Sequence, residues 1–210
     1  MASGSLKPRG DDNATMDLGA VADHDPRPVD HEAREAAVLV PVVDRASGPH
    51  LLFIKRADHL GEHAGQMSFP GGGREPEDED LLATALREAD EEVGLDPPDP
   101  AVVGRLDDIL TVTDYAVRPF VATVPDREYE PNDGEVAEIA VLPLSGLVDT
   151  DNHDYERRNH PEYGEVVVHY FHVGGYTVWG ATARILVQFL ELATDWTVPP
   201  AAQGDDSPFA

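Results

Sequence analysis

An unbroken apolar run, Ala36 to Val43 (AAVLVPVV), and a second stretch that is apolar up to its closing lysine, Leu51 to Lys55 (LLFIK), stand near the start of the patterned part of the chain, separated by Ser47-Gly48-Pro49. Continuous apolar runs of this length around turn-forming residues predict strands buried on both faces and joined by a turn. Further strands are expected at Val102 to Val112, Val117 to Val124, Glu138 to Leu142 and Val166 to Val173. A loop containing Gly and His runs up to Gly73, and the pattern then turns helical from about Glu79 to Val93. Gly94 and Pro97-Pro98 supply the stop. A second amphipathic helix, about Thr182 to Ala193, sets Ile185, Leu186, Phe189 and Leu190 toward one face. Strands on both sides of a helix, with another helix last, predict a mixed sheet covered on both faces rather than a regular βαβ array.

Outside this pattern, residues 1–33 are rich in Asp, Pro, Gly and Ala and read as a disordered acidic tail. Residues 198–210 have the same character and read as a flexible tail, which leaves 34–197 as the folded domain. Hydrophobic residues make up 41% of the chain, enough for a core of ordinary size. The longest apolar run falls far short of the roughly 20 residues of a membrane span. MASGSLKPRGDDNATMD has no apolar stretch behind its two basic residues, so a cytoplasmic protein without a membrane partner is expected. The absence of cysteine excludes disulfides, thiolate nucleophiles and Cys-bound metals.

Charge changes the picture further. Asp and Glu number 41 against 15 Lys and Arg, for a formal charge of −26, and only Lys7 and Lys55 are lysine. Such an excess of acid repels phosphate backbones and disfavours a nucleic-acid partner. Self-repulsion is tolerable where molar salt shortens the Debye length to about 3 Å, so the charge reads as adaptation to a saline cytosol in preference to ordinary mesophilic acidity.

The helical segment carries the candidate chemistry. On a wheel with Glu88 at zero, Glu91 lies at about −60° and Glu92 at about +40°, so three carboxylates share one face. Leu82, Leu86, Ala89 and Val93 fall between about 100° and 160°, a face for burial that points the glutamates away from the core. Like charges three and four residues apart each cost an isolated helix about 0.2–0.5 kcal/mol. The cluster makes sense if a hard divalent cation sits among the oxygens, or else as an exposed, salt-adapted helix face. Arg87 beside them is suited to orient a carboxylate through paired hydrogen bonds. The preceding glycines let backbone groups come close to a metal or a phosphate.

Spacing decides between these readings. Gly73, five residues, Glu79, seven residues, Arg87-Glu88-Ala89, one residue, Glu91-Glu92, one residue, Gly94-Leu95 reproduces the whole Nudix box. The chain therefore resembles the Nudix hydrolases, which cleave diphosphate linkages of nucleoside diphosphate derivatives. The resemblance implies an α/β fold, the Nudix α/β/α sandwich with a mixed β-sheet, and Mg2+ or Mn2+ as cofactor. It further implies that Glu91 and Glu92 are the main metal ligands and that Glu88 is a further ligand or helps deprotonate the attacking water. Glu79 is implied to act from the outer shell, Arg87 to hold the glutamates in place, and the carbonyl of Gly72 to complete the coordination. Bound metal would neutralise the diphosphate, lower the pKa of a water and stabilise charge on the leaving oxygen.

Two more stretches bear on the substrate. Leu52 to Gly72 (LFIKRADHLGEHAGQMSFPGG) resembles the motif that precedes the box in Nudix coenzyme A diphosphatases, sharing Leu52, Arg56, Ala57, Gly65 and Phe69-Pro70-Gly71-Gly72. Ile54 stands where that motif has Thr, and Gly61 where it has a second Arg. Tyr176 to Ala183 (YTVWGATA) is similar to the segment that opens the last helix of that subfamily. The resemblance implies hydrolysis of coenzyme A or acyl-CoA to adenosine 3′,5′-bisphosphate and (acyl-)4′-phosphopantetheine. The alternatives are another diphosphate derivative, such as ADP-ribose, a dinucleotide or a nucleoside triphosphate, or a nucleotide-sensing module that does not cleave. Retention of every box glutamate argues against the module.

Arg56, with Gly71 and Gly72, is a candidate for substrate binding; Arg56 reads equally as a strand-end side chain that carries its charge to water. Trp179 reads as core in preference to a substrate-stacking ring, because an apolar helix follows it. His59 and His63 are read as surface. Glu138, just before an apolar strand, is the candidate for one more metal-binding carboxylate outside the box, against a surface reading for any single acid in so acidic a chain. Oligomeric state is left unassigned by the sequence.

Overall fold

The computed structural model describes residues 15–29, 33–57, 65–96, 98–131, 134–160 and 164–202. Strand β1 (Arg34–Arg45) is central. It runs parallel to β7 (Tyr115–Val124) along one edge, and its other edge is shared by β2 (Gly48–Arg56) at its end and β4 (Gly71–Gly73) near its start, both antiparallel. The β1–β2 hairpin thus splays open, and β3 (Met67–Ser68) and β4 fill the gap between its arms. Beyond β2 lies β8 (Val136–Pro143), and beyond β7 lie β5 (Ala101–Arg105) and β6 (Ile109–Leu110), so among the described residues the sheet has eight strands and is mixed. A second, antiparallel sheet is made of β9 (His153–His160), β10 (Gly164–Val173) and β11 (Tyr176–Trp179) in the order β11-β10-β9. The helices are α1 (Leu18–Ala22), α2 (Leu81–Val93), α3 (Leu144–Leu147) and α4 (Gly180–Ala193).

Both faces of the main sheet are covered, which is why the runs of β1 and β2 do not alternate with polar residues. Leu39, Val43, Leu52 and Ile54 pack with Ala89 and Val93 of α2. Ala36, Val40, Val42, Leu51 and Phe53 enter the larger core with Leu186, Phe189 and Leu190 of α4 and Phe171 of β10. The four apolar positions expected on the last helix, Ile185, Leu186, Phe189 and Leu190, are all buried.

Several expectations are corrected. The stretch read as one strand from Val102 to Val112 is two short strands, β5 and β6, with buried Leu106 between them. Part of the segment read as a disordered tail is folded: Asp17 caps α1, its N–H donates to the Ala193 carbonyl at 2.7 Å, and Val21 is buried in the core. His24 and Arg27 both hydrogen-bond Asp107 and fasten this segment to the loop after β5. At the other end, residues 200–202 form a 3-10 turn and Ala202 is buried, so that part of the second tail is folded as well.

Candidate active site

The local sequence explains how α2 is held. Asp80 caps its start, its Oδ1 accepting the Ala83 N–H at 2.8 Å, and Gly94 closes it in the left-handed conformation at φ 66°. Small residues at the contact, Ala37 on β1 and Ala85 on α2, are both fully buried and bring the helix close to the sheet.

That approach rotates the buried face of the helix. Its buried residues are Leu81, Thr84, Ala85, Ala89, Glu92 and Val93, while Leu82 and Leu86 are only half-buried. The buried arc therefore runs from about −40° to about 140° on the wheel and contains Glu92. The expectation that the glutamates all point away from the core is corrected here. Glu92 is 3% exposed, and its Oε2 accepts the backbone N–H of Gly71 at 2.9 Å. A buried carboxylate needs such a donor to offset its desolvation.

Gly71 and Gly72 are placed by β1. Gly71 pairs with Val38 and adopts φ 154°, and a Cβ there would lie 2.6 Å from the Val38 Cα. A Cβ on Gly72 would fall 2.6 Å from the Glu88 Cδ, so the glycine lets the backbone sit against that carboxylate where a side chain would displace it.

Arg87 is the hub of the site. Its Nε donates to Asp78 Oδ1 at 3.0 Å and its Nη2 to Asp78 Oδ2 at 3.2 Å. Nη2 also reaches the Gly73 carbonyl at 3.2 Å, and Nη1 donates to Glu88 Oε1 and to Glu91 Oε2, both at 3.0 Å. Asp78 accepts in addition from the Thr84 hydroxyl and the Glu75 N–H, each at 2.9 Å. The Arg87 guanidinium, helped by the Glu75 N–H, holds the Asp78 carboxyl far below the usual carboxylate range. In return Asp78 raises the pKa of Arg87. Burial raises the pKa of Glu88, opposed by the charge of Arg87.

Asp78 is the residue of the candidate site that sequence reasoning missed. Its position is free in the spacing pattern, and one more acid in GGGREPEDED carries no distinguishing signal. Glu79, by contrast, is exposed, and it is the Glu79 backbone carbonyl that accepts from Arg74, at 3.3 Å.

The donor set fits a hard divalent cation in its chemistry. Glu88 and Glu91 each place one oxygen on the same guanidinium nitrogen, and the Gly72 backbone lies against the Glu88 carboxylate. Among the described residues, however, no three His, Asp or Glu side chains stand together as a ready-made ligand group. Arg87 takes oxygens of Glu88 and Glu91, and Gly71 takes one of Glu92, so the shared carboxylate face expected from the wheel is not assembled in this arrangement. Glu138 is engaged elsewhere: on β8 its carboxylate accepts the Tyr176 hydroxyl and lies 4.0 Å from Lys55 Nζ.

Beside Gly71 a cleft of about 540 Å3 opens between the two sheets. Arg56, at the end of β2, lines it while its Nη2 stands 3.7 Å from Glu135, so the residue is at once a strand-end cation and a cleft wall. Trp179 corrects its core reading: it is half-buried, lines the cleft, and lies nearly parallel to Tyr170, with ring centroids 6.2 Å apart at 13°. His59, His63 and Gly61 lie outside the described residues.

A mixed sheet flanked by helices, with the arginine-centred acidic helix beneath a glycine strand, defines a Nudix-type hydrolase. The NUDIX domain family model matches residues 33–163, and the chain belongs to that family. It is 40% identical over 157 residues to the uncharacterized Nudix hydrolase NudL of Enterobacter sp. (strain 638), covering 73% of this chain and 79% of that protein. It is 42% identical over 159 residues to the NudL of Cronobacter sakazakii, covering 73% and 79%. Among solved structures, the MutT/nudix family protein from Enterococcus faecalis aligns with a TM-score of 0.51 at 15% identity, covering 78% of this chain and 63% of that one, which bears on fold alone. The chain is thus an enzyme of the Nudix class, acting on diphosphate linkages, and enzymes of this class generally use divalent metal ions. None of the helices described is long and apolar enough to cross a membrane.

Proposed function

We propose that this chain hydrolyses the diphosphate of coenzyme A or an acyl-CoA, giving adenosine 3′,5′-bisphosphate and (acyl-)4′-phosphopantetheine, with Mg2+ or Mn2+ as cofactor. The observation that carries the reading is the convergence of Asp78, Glu88, Glu91 and the Gly73 carbonyl on Arg87, directly beneath the glycine strand. A divalent cation held by Glu88, Glu91, Glu92 and the Gly72 carbonyl would supply Lewis acidity to the diphosphate and to the attacking water. Arg87 positions Glu88 and Glu91, and Asp78 positions Arg87. Glu92 fixes the glycine strand through the Gly71 N–H. Glu88, half-buried against the Gly72 backbone, either joins the ligands or takes the proton of the water. Glu138 would join the set once Tyr176 releases it.

Support for the coenzyme A substrate comes from the motif before the box. Its apolar positions have structural work: Leu52 and Ala57 are buried, and Phe69 stacks on Phe53 at 4.6 Å. The departure at Ile54 is a packing position, 1% exposed against α2, so a threonine there would not reach a phosphate either. Arg56 remains at the cleft wall for a phosphate contact. The high negative charge is consistent with work in molar salt, where substrate repulsion is screened. Assay of coenzyme A beside ADP-ribose, a dinucleotide and a nucleoside triphosphate tests the reading; the fastest turnover is expected on coenzyme A, and faster turnover of ADP-ribose would contradict it.

A further inference from the structure

The turn between β6 and β7 is fastened in a form that leaves an apolar side chain outside the core. The Thr111 N–H donates to the Tyr115 carbonyl at 2.9 Å, the Thr111 hydroxyl accepts the Tyr115 N–H at 3.1 Å, and the Thr111 carbonyl accepts the Asp114 N–H at 3.0 Å. Asp114 takes the left-handed conformation at φ 63°, which a short polar side chain tolerates. Arg34 lies 3.9 Å over the Tyr115 ring and donates to the Thr113 carbonyl at 2.7 Å. So fastened, the turn holds Val112 70% exposed. Val102 and Val112 are the large apolar side chains left exposed among the described residues, and of the two it is Val112 that belongs to the lining of the cleft beside Gly71. A lone apolar side chain at a surface needs no explanation, but one that continues an apolar wall does.

The wall that Val112 continues is formed by Val38, Met67, Phe69, Val117, Val168 and Ile185. In a chain with 41 acids, no Asp or Glu is among the described residues that line this cleft. Its cations are engaged: Arg158 holds the Glu156 carboxylate at 2.7 Å and the Tyr170 hydroxyl at 2.8 Å, Arg184 donates to the Leu110 carbonyl at 2.8 Å, and Arg56 is the side chain assigned above to a phosphate. The surface that remains is apolar with uncharged polar groups, among them Ser68 and Thr182, which suits a chain of methylene and amide groups. The volume of about 540 Å3 is that of a small-molecule site. Gly71 lines the same cleft and donates to Glu92, so a ligand seated here extends directly to the acidic helix.

We infer that this cleft receives the uncharged thioester arm of the substrate, its acyl chain lying along the apolar wall and covered at the mouth by Val112. The inference rests on the proposed coenzyme A reading and deepens it: within that substrate class the cleft selects acylated molecules over the free thiol. Val112 then determines specificity and takes no part in bond cleavage.

Calorimetric titration of the full chain without metal tests this independently of hydrolysis, using S-octanoyl-pantetheine and S-acetyl-pantetheine. The octanoyl compound is expected to bind at least about tenfold more tightly, which burial of roughly two methylene groups would give. Val112→Asp puts a charge at the mouth of the cleft and should shrink that ratio to below about threefold; the side chain stands in solvent, so the variant is expected to fold, as its melting temperature would show. With metal added, kcat/KM should favour octanoyl-CoA over coenzyme A by a similar factor, and Val112→Asp should reduce that preference in step. Equal affinities of the two pantetheines, binding of neither, or an unchanged ratio in Val112→Asp would overturn the inference. So would displacement of S-octanoyl-pantetheine by adenosine 3′,5′-bisphosphate, which would place the nucleotide arm here. Chain-length discrimination that depends on Val112, in a protein that cleaves neither coenzyme A nor octanoyl-CoA, would fault the proposed reaction and leave this site standing.

Discussion

Arg87 grips Asp78 with two near-parallel hydrogen bonds, Nε to Oδ1 at 3.0 Å and Nη2 to Oδ2 at 3.2 Å, and in doing so directs its remaining N–H groups at Glu88, Glu91 and Gly73. The paired geometry fixes the plane of the guanidinium, which a lysine or a single contact would leave free to turn. Asp78→Asn keeps the shape and removes the charge. It is expected to destabilise the fold by about 2–4 kcal/mol in urea unfolding and to lower kcat at least about tenfold, with KM changed less. Wild-type kcat in Asp78→Asn would show that Asp78 does not position the site.

Glu92 and Gly71 separate chemistry from folding. Glu92→Gln retains an oxygen to accept the Gly71 N–H, so thermal unfolding should stay close to wild type while hydrolysis falls at least about a hundredfold. Gly71→Ala should do the reverse in order: φ 154° and the approach of Val38 exclude a Cβ, and a loss of more than about 2 kcal/mol in stability is expected before any question of activity arises.

A histidine pair, His169 buried and His153 half-buried, gives the fold a pH dependence. His153 Nε2 and His169 Nδ1 are 3.0 Å apart, beside Phe171 and Trp196. Burial first, then the charges of His153 and Arg184, lower the His169 pKa to about 4. An unfolded histidine binds its proton near pH 6.5, so between these values the unfolded chain holds more protons than the folded one. Stability should therefore be complete above about pH 6.5 and decline as pH falls toward 4, by on the order of 3 kcal/mol from this residue. Urea midpoints measured across that window test it, and His169→Gln should flatten the slope. Asp78 acts in a lower window: its depressed pKa contributes stability above about pH 4 that is lost only in stronger acid.

Salt should act on the whole molecule. With a formal charge of −26, kcat/KM for an anionic substrate is expected to climb as KCl is raised toward molar, and the melting temperature with it. An activity maximum in dilute buffer would contradict the saline reading.

What was legible in the sequence follows from how strongly each segment depends on its own pattern. β1, β2 and α4 carry apolar residues in number and period, and the Gly94 stop of α2 is a local signal. β9 (HDYERRNH) was missed because it is polar throughout and exists by pairing with β10. α1 has five residues and a single buried side chain; it forms because its backbone docks against β5, where a Cβ on Gly104 would come within 2.7 Å of the Val21 carbonyl. Within the site, the box residues were found by their spacing, while the burial of Glu92 and the role of Asp78 depend on how closely α2 lies on Ala37, which no helical wheel contains.

The most direct test is to incubate the full chain with coenzyme A, Mg2+ and molar KCl in 18O-labelled water and to weigh the products. Adenosine 3′,5′-bisphosphate and 4′-phosphopantetheine are expected, with the label on only one of the two new phosphates and neither product formed by Glu92→Gln. Intact coenzyme A from the folded wild-type protein, or equal cleavage by Glu92→Gln, would contradict the account.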